Sequence, residues 1–188
     1  MAAPAVTPKL DATKVRVGVS GRLAYGPTST SAPTAVDSAV SGIKEVGYIS
    51  EDGVTEKRDR STTKLKAWQN AATVRTIVEE ASFQIEATII ETSKETLELF
   101  YGAPVGTKGD VLVNPSATGG TKAIILDVID GDDLIRTWIP NGEVVEVGEM
   151  TYKNGEPIGY PVTIEAYPTT IDGVQAAAKK FYKSQATG

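Results

Sequence analysis

Four carboxylates crowd one short stretch, DVIDGDDL: Asp127, Asp130, Asp132 and Asp133. Several such oxygens are what a hard cation such as calcium takes as ligands. The spacing argues against it, because Gly131 precedes Asp132 and Asp133 instead of following three spaced acids, and no glutamate closes the loop to grip the ion with both oxygens. Asp130-Gly131 is itself a strong turn signal, so a hairpin turn is preferred to a calcium loop. Gly119-Gly120-Thr121-Lys122 matches a phosphate-binding loop only in part: that loop carries Gly-Lys-Ser/Thr into a helix, whereas Lys122 enters a β-rich run. Ser184 near Lys180 is a serine–lysine pair with nothing to activate it further. A pair of acids about 5 to 9 Å apart could hydrolyse a glycosidic bond, but the chain is small and lacks the aromatic residues of a sugar cleft. No catalytic residue, metal site or cofactor is expected.

Composition narrows the field in the same direction. The chain has no cysteine and no histidine, which removes disulfides, thiolate nucleophiles, the usual general base and the commonest zinc ligand. Nineteen basic and 24 acidic residues leave a net charge of -5, against wrapping a polyanion by neutralising its phosphates, though not against DNA passing nearby. With 188 residues, 40% hydrophobic and 23% charged, the sequence fits one ordinary domain able to bury roughly 70% of its extended surface. No run is apolar enough to cross a bilayer, and MAAPAVTPKLDATK lacks the basic start and apolar middle of a secretory signal. Synthesis in a cytoplasm and no membrane partner are the expectations.

The elements that would position any site are mostly strands. VRVGVSGRLAY alternates Val15, Val17 and Val19 with Arg16, Gly18 and Ser20, the two-residue period of a half-buried strand. Strands are also predicted from Ile43, at LKAWQ, from Ala72, from Ala81, at Val111, from Lys122, from Leu134, from Glu143 and from Tyr160. In ASFQIEATIIE the faces separate: Phe83, Ile85, Ala87 and Ile89 point one way, Gln84, Glu86, Thr88 and Ile90 the other. Asn154-Gly155 is the favoured pair for a tight hairpin. One helix is predicted in TSKETLELFYG, because Thr92 and Glu95 have capping-box spacing and Gly102 can end it in a left-handed conformation. Leu97, Phe100 and Tyr101 share one of its faces and should lie against the flank of a sheet. GVQAAAKKFYKSQATG is a short helix around Ala176 to Tyr182, or a tail.

Many strands, one helix and no βα alternation indicate a mainly β protein: an antiparallel β-sandwich or partial barrel with one short flanking α-helix, extended loops and terminal arms. No internal repeat is visible. The domain should run over 15–168, with 26–42 and 51–66 as extended loops, an N-terminal arm at 1–14 and a C-terminal arm at 169–188. Trp68 and Trp138 lie in alternating apolar segments, for which core or inter-subunit packing is preferred to sugar stacking. The charged excursion Glu51, Asp52, Glu56, Lys57, Arg58, Asp59, Arg60, Lys64 and Lys66 would ordinarily be a solvated loop. Its closely mixed signs suit association between copies of one protein better than attraction to a polyanion.

The phrases EVGYISEDGVTEKRD, KLKAWQNA, ATIIETSKETLELFYG, RTWIPNGEV and GEMTYKNGEPIGYPVTIEAYP, in this order between Ile43 and Pro168, make the chain resemble the major tail, or tail-tube, proteins of phages with long non-contractile tails, especially phages of actinobacterial hosts. Two departures stand out. Asn141-Gly142 follows Pro140 where a basic residue is expected, and no immunoglobulin-like domain follows Tyr167, so this version is expected to be minimal. The resemblance implies a virion protein, made in the host cytoplasm, whose copies close six at a time into rings that stack as a hollow tube for DNA ejection. Its implied partners are itself and the tape-measure, tail-terminator and distal tail proteins, with double-stranded DNA passing through the lumen unbound.

By the same resemblance, Glu51, Asp52, Glu56, Lys57, Arg58, Asp59, Arg60 and Lys64 are expected to contact the adjacent ring, and the arms and the Pro/Ser/Thr loop to order on stacking. Six copies at -5 each carry about -30, so a lumen lined by Gln84, Glu86 and Thr88 should repel phosphate. The competing readings are a β-sandwich module that binds cell-surface carbohydrate, stacking sugars on Trp68, Trp138 or Tyr160, and a related terminator or neck component of the same tail.

Overall fold

The computed structural model describes residues 9–185. The described residues form ten strands: β1 Ser20–Gly26, β2 Lys44–Glu45, β3 Ile49–Lys66, β4 Thr73–Ile89, β5 Lys122–Asp130, β6 Asp133–Val147, β7 Tyr160–Ala166, β8 Thr169–Ile171, β9 Val174–Ala176 and β10 Lys179–Tyr182. One α-helix, α1, spans Lys94–Tyr101. Every strand pairing is antiparallel, in the order β2-β1-β5-β6-β7-β4-β3, with β10 added to β6 and β8-β9 forming a separate small hairpin.

Strand β6 is the fold line. Its first half pairs with β5 on one side and β10 on the other, while its second half pairs with β7 instead. Register shifts fall beside Ile139 to Gly142 and between Val144 and Glu146. Such irregularities bend a strand and increase its twist, so the sheet curls over and its two halves face each other as an open, partial barrel. Leu23, Tyr25, Ile124, Leu126 and Ile139 from one half meet Ile85, Ile89, Val162 and Ile164 from the other in a single core. Across the gap between halves, the Thr137 hydroxyl donates to Glu56 at 2.9 Å, and Lys180 of β10 pairs with the same carboxylate. On the back of β5 and β6, Ile125 and Trp138 form a second cluster with Ile171, covered by Phe181 and Ala176.

Helix α1 starts one residue later than its sequence predicts. Ser93 is the cap, its oxygen accepting the Thr96 amide at 3.1 Å, because the Thr92 hydroxyl is taken by the Tyr160 hydroxyl at 3.0 Å. Gly102 closes the helix in the left-handed conformation, at φ 62°. Phe100 is buried, edge-on to Tyr160, and Leu97 and Tyr101 are partly buried against the core; Thr96 and Leu99, which were not expected there, are buried as well. Eight residues cannot hold a helix in water, so packing on the core sustains it.

The sequence misleads in several places. Residues 51–66 are not an extended loop: they form most of β3, paired with β4 almost to its end. A ribbon exposed on both faces has no hydrophobic period to show, while Thr73, Val74, Thr76, Ile77 and Val78 give its partner strong β-propensity. The two strands expected from Ala72 and Ala81 are therefore one, and LKAWQ is not a separate strand: Leu65 and Lys66 end β3, and Ala67 to Ala72 make the turn with Asn70 and Ala71 left-handed. Of the core or inter-subunit packing expected for Trp68, the core is overturned: the residue is 96% exposed at that turn.

Val15, Val17 and Val19 precede the sheet and are exposed, and the segment at Val111 is not a strand. The strands expected at Leu134 and Glu143 are continuous, and Asn154-Gly155 turns within a loop rather than a hairpin, since β6 ends at Val147 and β7 starts at Tyr160. The C-terminal arm is also corrected. Instead of a helix or a tail, Lys179–Tyr182 adds to β6, because Phe181 sits on the Ile125–Trp138 cluster and that burial outweighs the helix propensity of the alanines. The expected N-terminal arm falls partly outside the described residues, at 1–8; its remainder includes a single 3-10 turn at Ala12–Lys14.

Candidate assembly surface

The fold leaves its largest unmet demand at one border. Strand β3 ends the sheet, so along its 18 residues the backbone groups facing away from β4 have no strand partner among the described residues. At the opposite border β2 covers β1 only at Ala24 and Tyr25, leaving the Ser20 to Arg22 edge open. Long bare edges of this kind are templates for pairing with another chain.

Beyond Arg58 and Phe83, β3 and β4 leave the body as a two-stranded ribbon. From that pair to Lys66 and Thr73 it reaches roughly 25–30 Å at the usual strand rise. Leu65, Trp68, Val74, Ile77 and Val78 are all exposed on it. An isolated hairpin is marginally stable in water, and so many bare apolar groups on one mark a contact surface.

The expected inter-ring residues do not act as one set. Glu51 and Asp52 sit at the root of β3, within the register shift between Ile49 and Val54, where with Arg22, Glu45 and Glu91 they wall an acidic cleft of about 750 Å³. Glu56 turns inward and holds the two sheet halves together through Thr137 and Lys180. Lys57 pairs with Glu86, joining an expected inter-ring residue to an expected lumen residue. Arg58, Asp59, Arg60 and Lys64 are exposed and make no ion pair among the described residues.

Gln84, Glu86 and Thr88 do share a face, the one turned away from the core formed by Ile85, Ala87 and Ile89. Cross-strand register adds Thr163 and Glu165 from β7 and Glu143 and Glu146 from β6. Those additions are invisible in sequence because the alignment of β6 on β7 depends on the shift at Val144. Register with β3 adds Lys57 opposite Gln84 and Asp59 opposite Ser82, so five carboxylates, Asp59, Glu86, Glu143, Glu146 and Glu165, stand on this face with the amine of Lys57. Glu143 and Glu165 stand directly opposite each other, an arrangement that costs stability in a sheet. Burial, and then the neighbouring Glu143 and Glu165 carboxylates, push the Tyr167 hydroxyl above its ordinary pKa.

One charged cluster was missed altogether. Arg22, Asp127 and Arg136 lie side by side across β1, β5 and β6. Arg136 grips Asp127 with both nitrogens of its fork, at 2.6 and 2.9 Å, Arg22 adds a third bond at 2.8 Å, and the remaining Arg136 nitrogen donates to the Ser38 carbonyl at 2.6 Å. Asp127 therefore belongs to a structural triad that fastens the 26–42 loop to the sheet. The neighbouring Asp130 and Asp133 pair at the end of the β5-β6 hairpin, where Gly131 takes the left-handed turn position. Trp138 and Tyr160 are buried, so neither offers a platform for a sugar ring.

A family model described as phage tail tube protein matches residues 8–180. Among solved structures, the fold is similar to a chain in the virion of a native gene transfer agent particle, with 8% identity and a TM-score of 0.38, over 75% of this chain and 88% of that one. It is also similar to a chain in the six-fold symmetrised baseplate of the anti-feeding prophage, with 10% identity and a TM-score of 0.39, over 96% and 97%. No curated protein matches the sequence.

Proposed function

This chain belongs to the phage tail tube protein family and is a structural component of the virion rather than an enzyme, and from that premise we propose that its copies close into six-membered rings which stack into a hollow conduit for DNA. The observation that carries this reading is the bare border of β3. A sheet that leaves 18 residues of edge unpaired at one side, and the start of β1 open at the other, has the two complementary ends that head-to-tail ring closure requires. Pairing them around a ring covers the root of β3 and the open start of β1. The β3-β4 ribbon then reaches the next ring, bringing Arg58, Asp59, Arg60 and Lys64 against it, while Glu51, Asp52, Glu56 and Lys57 stay at its root. Tape-measure, terminator and distal tail proteins would bound the tube along its axis and at its ends.

Electron microscopy of the concentrated protein tests this directly: rings or tubes are expected, and a chain that remains single at every concentration overturns it. Charge gives the conduit its property. With Gln84, Glu86 and Thr88 turned to the lumen, the accompanying Glu143, Glu146 and Glu165 make the wall repel phosphate, so DNA slides without being held. Virions carrying Glu86→Lys together with Glu165→Lys should eject DNA more slowly, with the delay shrinking as salt rises. Ejection at the unmodified rate would place this face on the outside of the tube.

A further inference from the structure

We infer that the tip of the β3-β4 ribbon is a knob, anchored by Trp68, that seats in the cleft between α1 and the second half of β6 on another copy. The inference rests on the self-assembly proposed above and assigns its longitudinal contact to particular residues. Trp68 is 96% exposed and thus touches almost nothing of its own chain, although an indole ring is among the most valuable groups a protein can bury. Leu65, Val74, Ile77 and Val78 lie behind it along the ribbon, also exposed.

The receiving surface is a cleft of about 390 Å³ walled by Phe100, Tyr101, Val113, Val145, Val147 and Met150. Val113, Val145 and Val147 are each at least 41% exposed, so the cleft presents bare apolar wall as well as volume. Its β6 wall is open, because β5 pairs with β6 only as far as Gly142 and leaves residues 143–147 without a strand partner on that side among the described residues.

Charge selects a second copy as the occupant. Residues 62–78 hold Lys64, Lys66 and Arg75 and no acid, whereas residues 143–149 beside the cleft hold Glu143, Glu146 and Glu149 and no base. A chain of net charge -5 has thus gathered positive charge at the ribbon's end and negative charge around this apolar cleft. Glu146 lines the cleft and can accept the indole N–H, which would otherwise be buried unpaired.

The absence of native cysteine makes cross-linking clean. The Gln69→Cys/Val113→Cys variant keeps Trp68 and places one thiol at the turn and one at the cleft, both on exposed residues. A short bis-maleimide applied to assembled protein should yield a ladder of dimers and higher species on denaturing gels. A Gln69→Cys/Asp37→Cys variant, with its second thiol on an exposed loop residue that does not line the cleft, should yield none. If tubes form and the first variant gives no ladder, or gives no more than the second, the docking is wrong and the tube stands. Failure of the unmodified protein to assemble at all would remove both.

Discussion

Cutting the ribbon back is expected to leave a folded protein that no longer makes tubes. The change removes residues 60–81 and joins Asp59 to Ser82 through Asn-Gly, the pair best suited to a two-residue hairpin turn. Asp59 and Ser82 are register partners, so the shortened hairpin closes without disturbing the strands below it. Neither hydrophobic cluster draws a residue from the deleted segment, and Glu56, whose carboxylate ties β3 to Thr137 and Lys180, is retained. Thermal unfolding should therefore occur at nearly the original midpoint.

Assembly should change far more. A buried tryptophan anchor is worth about 2 kcal/mol or more to an interface. If six copies engage at each ring junction, the losses act together, because every contact in a junction raises the effective concentration of the others. Sedimentation and electron microscopy should show single chains or single rings where the full-length protein gives tubes. Tubes of ordinary length from the shortened chain would show that the ribbon plays no part in stacking.

The ribbon also shows where sequence stops being informative. Wherever a face is buried, the alternation of apolar residues reports it, and the split of Ile85, Ala87 and Ile89 from Gln84, Glu86 and Thr88 is readable without coordinates. The single helix is legible for a related reason: its stop signal, Gly102, is set by local backbone geometry, and its start is misplaced by only one residue because a tertiary contact to Tyr160 claims Thr92. Residues 51–66 belong to the opposite case. Their strand conformation is imposed by pairing with a partner whose propensity is strong, and beyond Arg58 neither face is covered, so their own pattern reads as a loop.

Lys179–Tyr182 fails to announce itself because its partner, the first half of β6, lies some forty residues back. The acidic face was legible only along β4, since its other members come from neighbouring strands whose alignment depends on a bulge. The same holds for the triad: Asp127 sits among other acids in sequence, and only the three-strand register sets it between two arginines.

That triad makes Asp127→Ala the most damaging single substitution expected in the body of the protein. Asp127 and Arg136 are 2% and 3% exposed, and removing the carboxylate leaves the Arg136 guanidinium buried with only the Ser38 carbonyl to bond. Breaking such a pair from one side costs about 3–5 kcal/mol, against a total stability on the order of 5–15 kcal/mol for a domain. Replacing both partners, as in Asp127→Leu/Arg136→Met, should cost much less, because no uncompensated charge remains. Denaturant unfolding of the three proteins separates lost packing from stranded charge, and an Asp127→Ala variant within about 1 kcal/mol of the parent would refute the role assigned to the pair.

Acid supplies an independent reading. Burial alone would raise the Asp127 pKa, but the bonds and charges of Arg136 and Arg22 outweigh it and hold the carboxyl below its ordinary value. The unfolded chain, with an aspartate pKa of about 3.9, takes up the proton first as pH falls. The stabilisation is therefore complete above about pH 4 and is lost as pH drops through the lower folded value. Asp127→Asn should be less stable than the parent at neutral pH, and its stability should fall less steeply over that acid range. The neutral side chain has no proton to gain there, so the difference between the two proteins narrows as the parent's carboxylate is titrated.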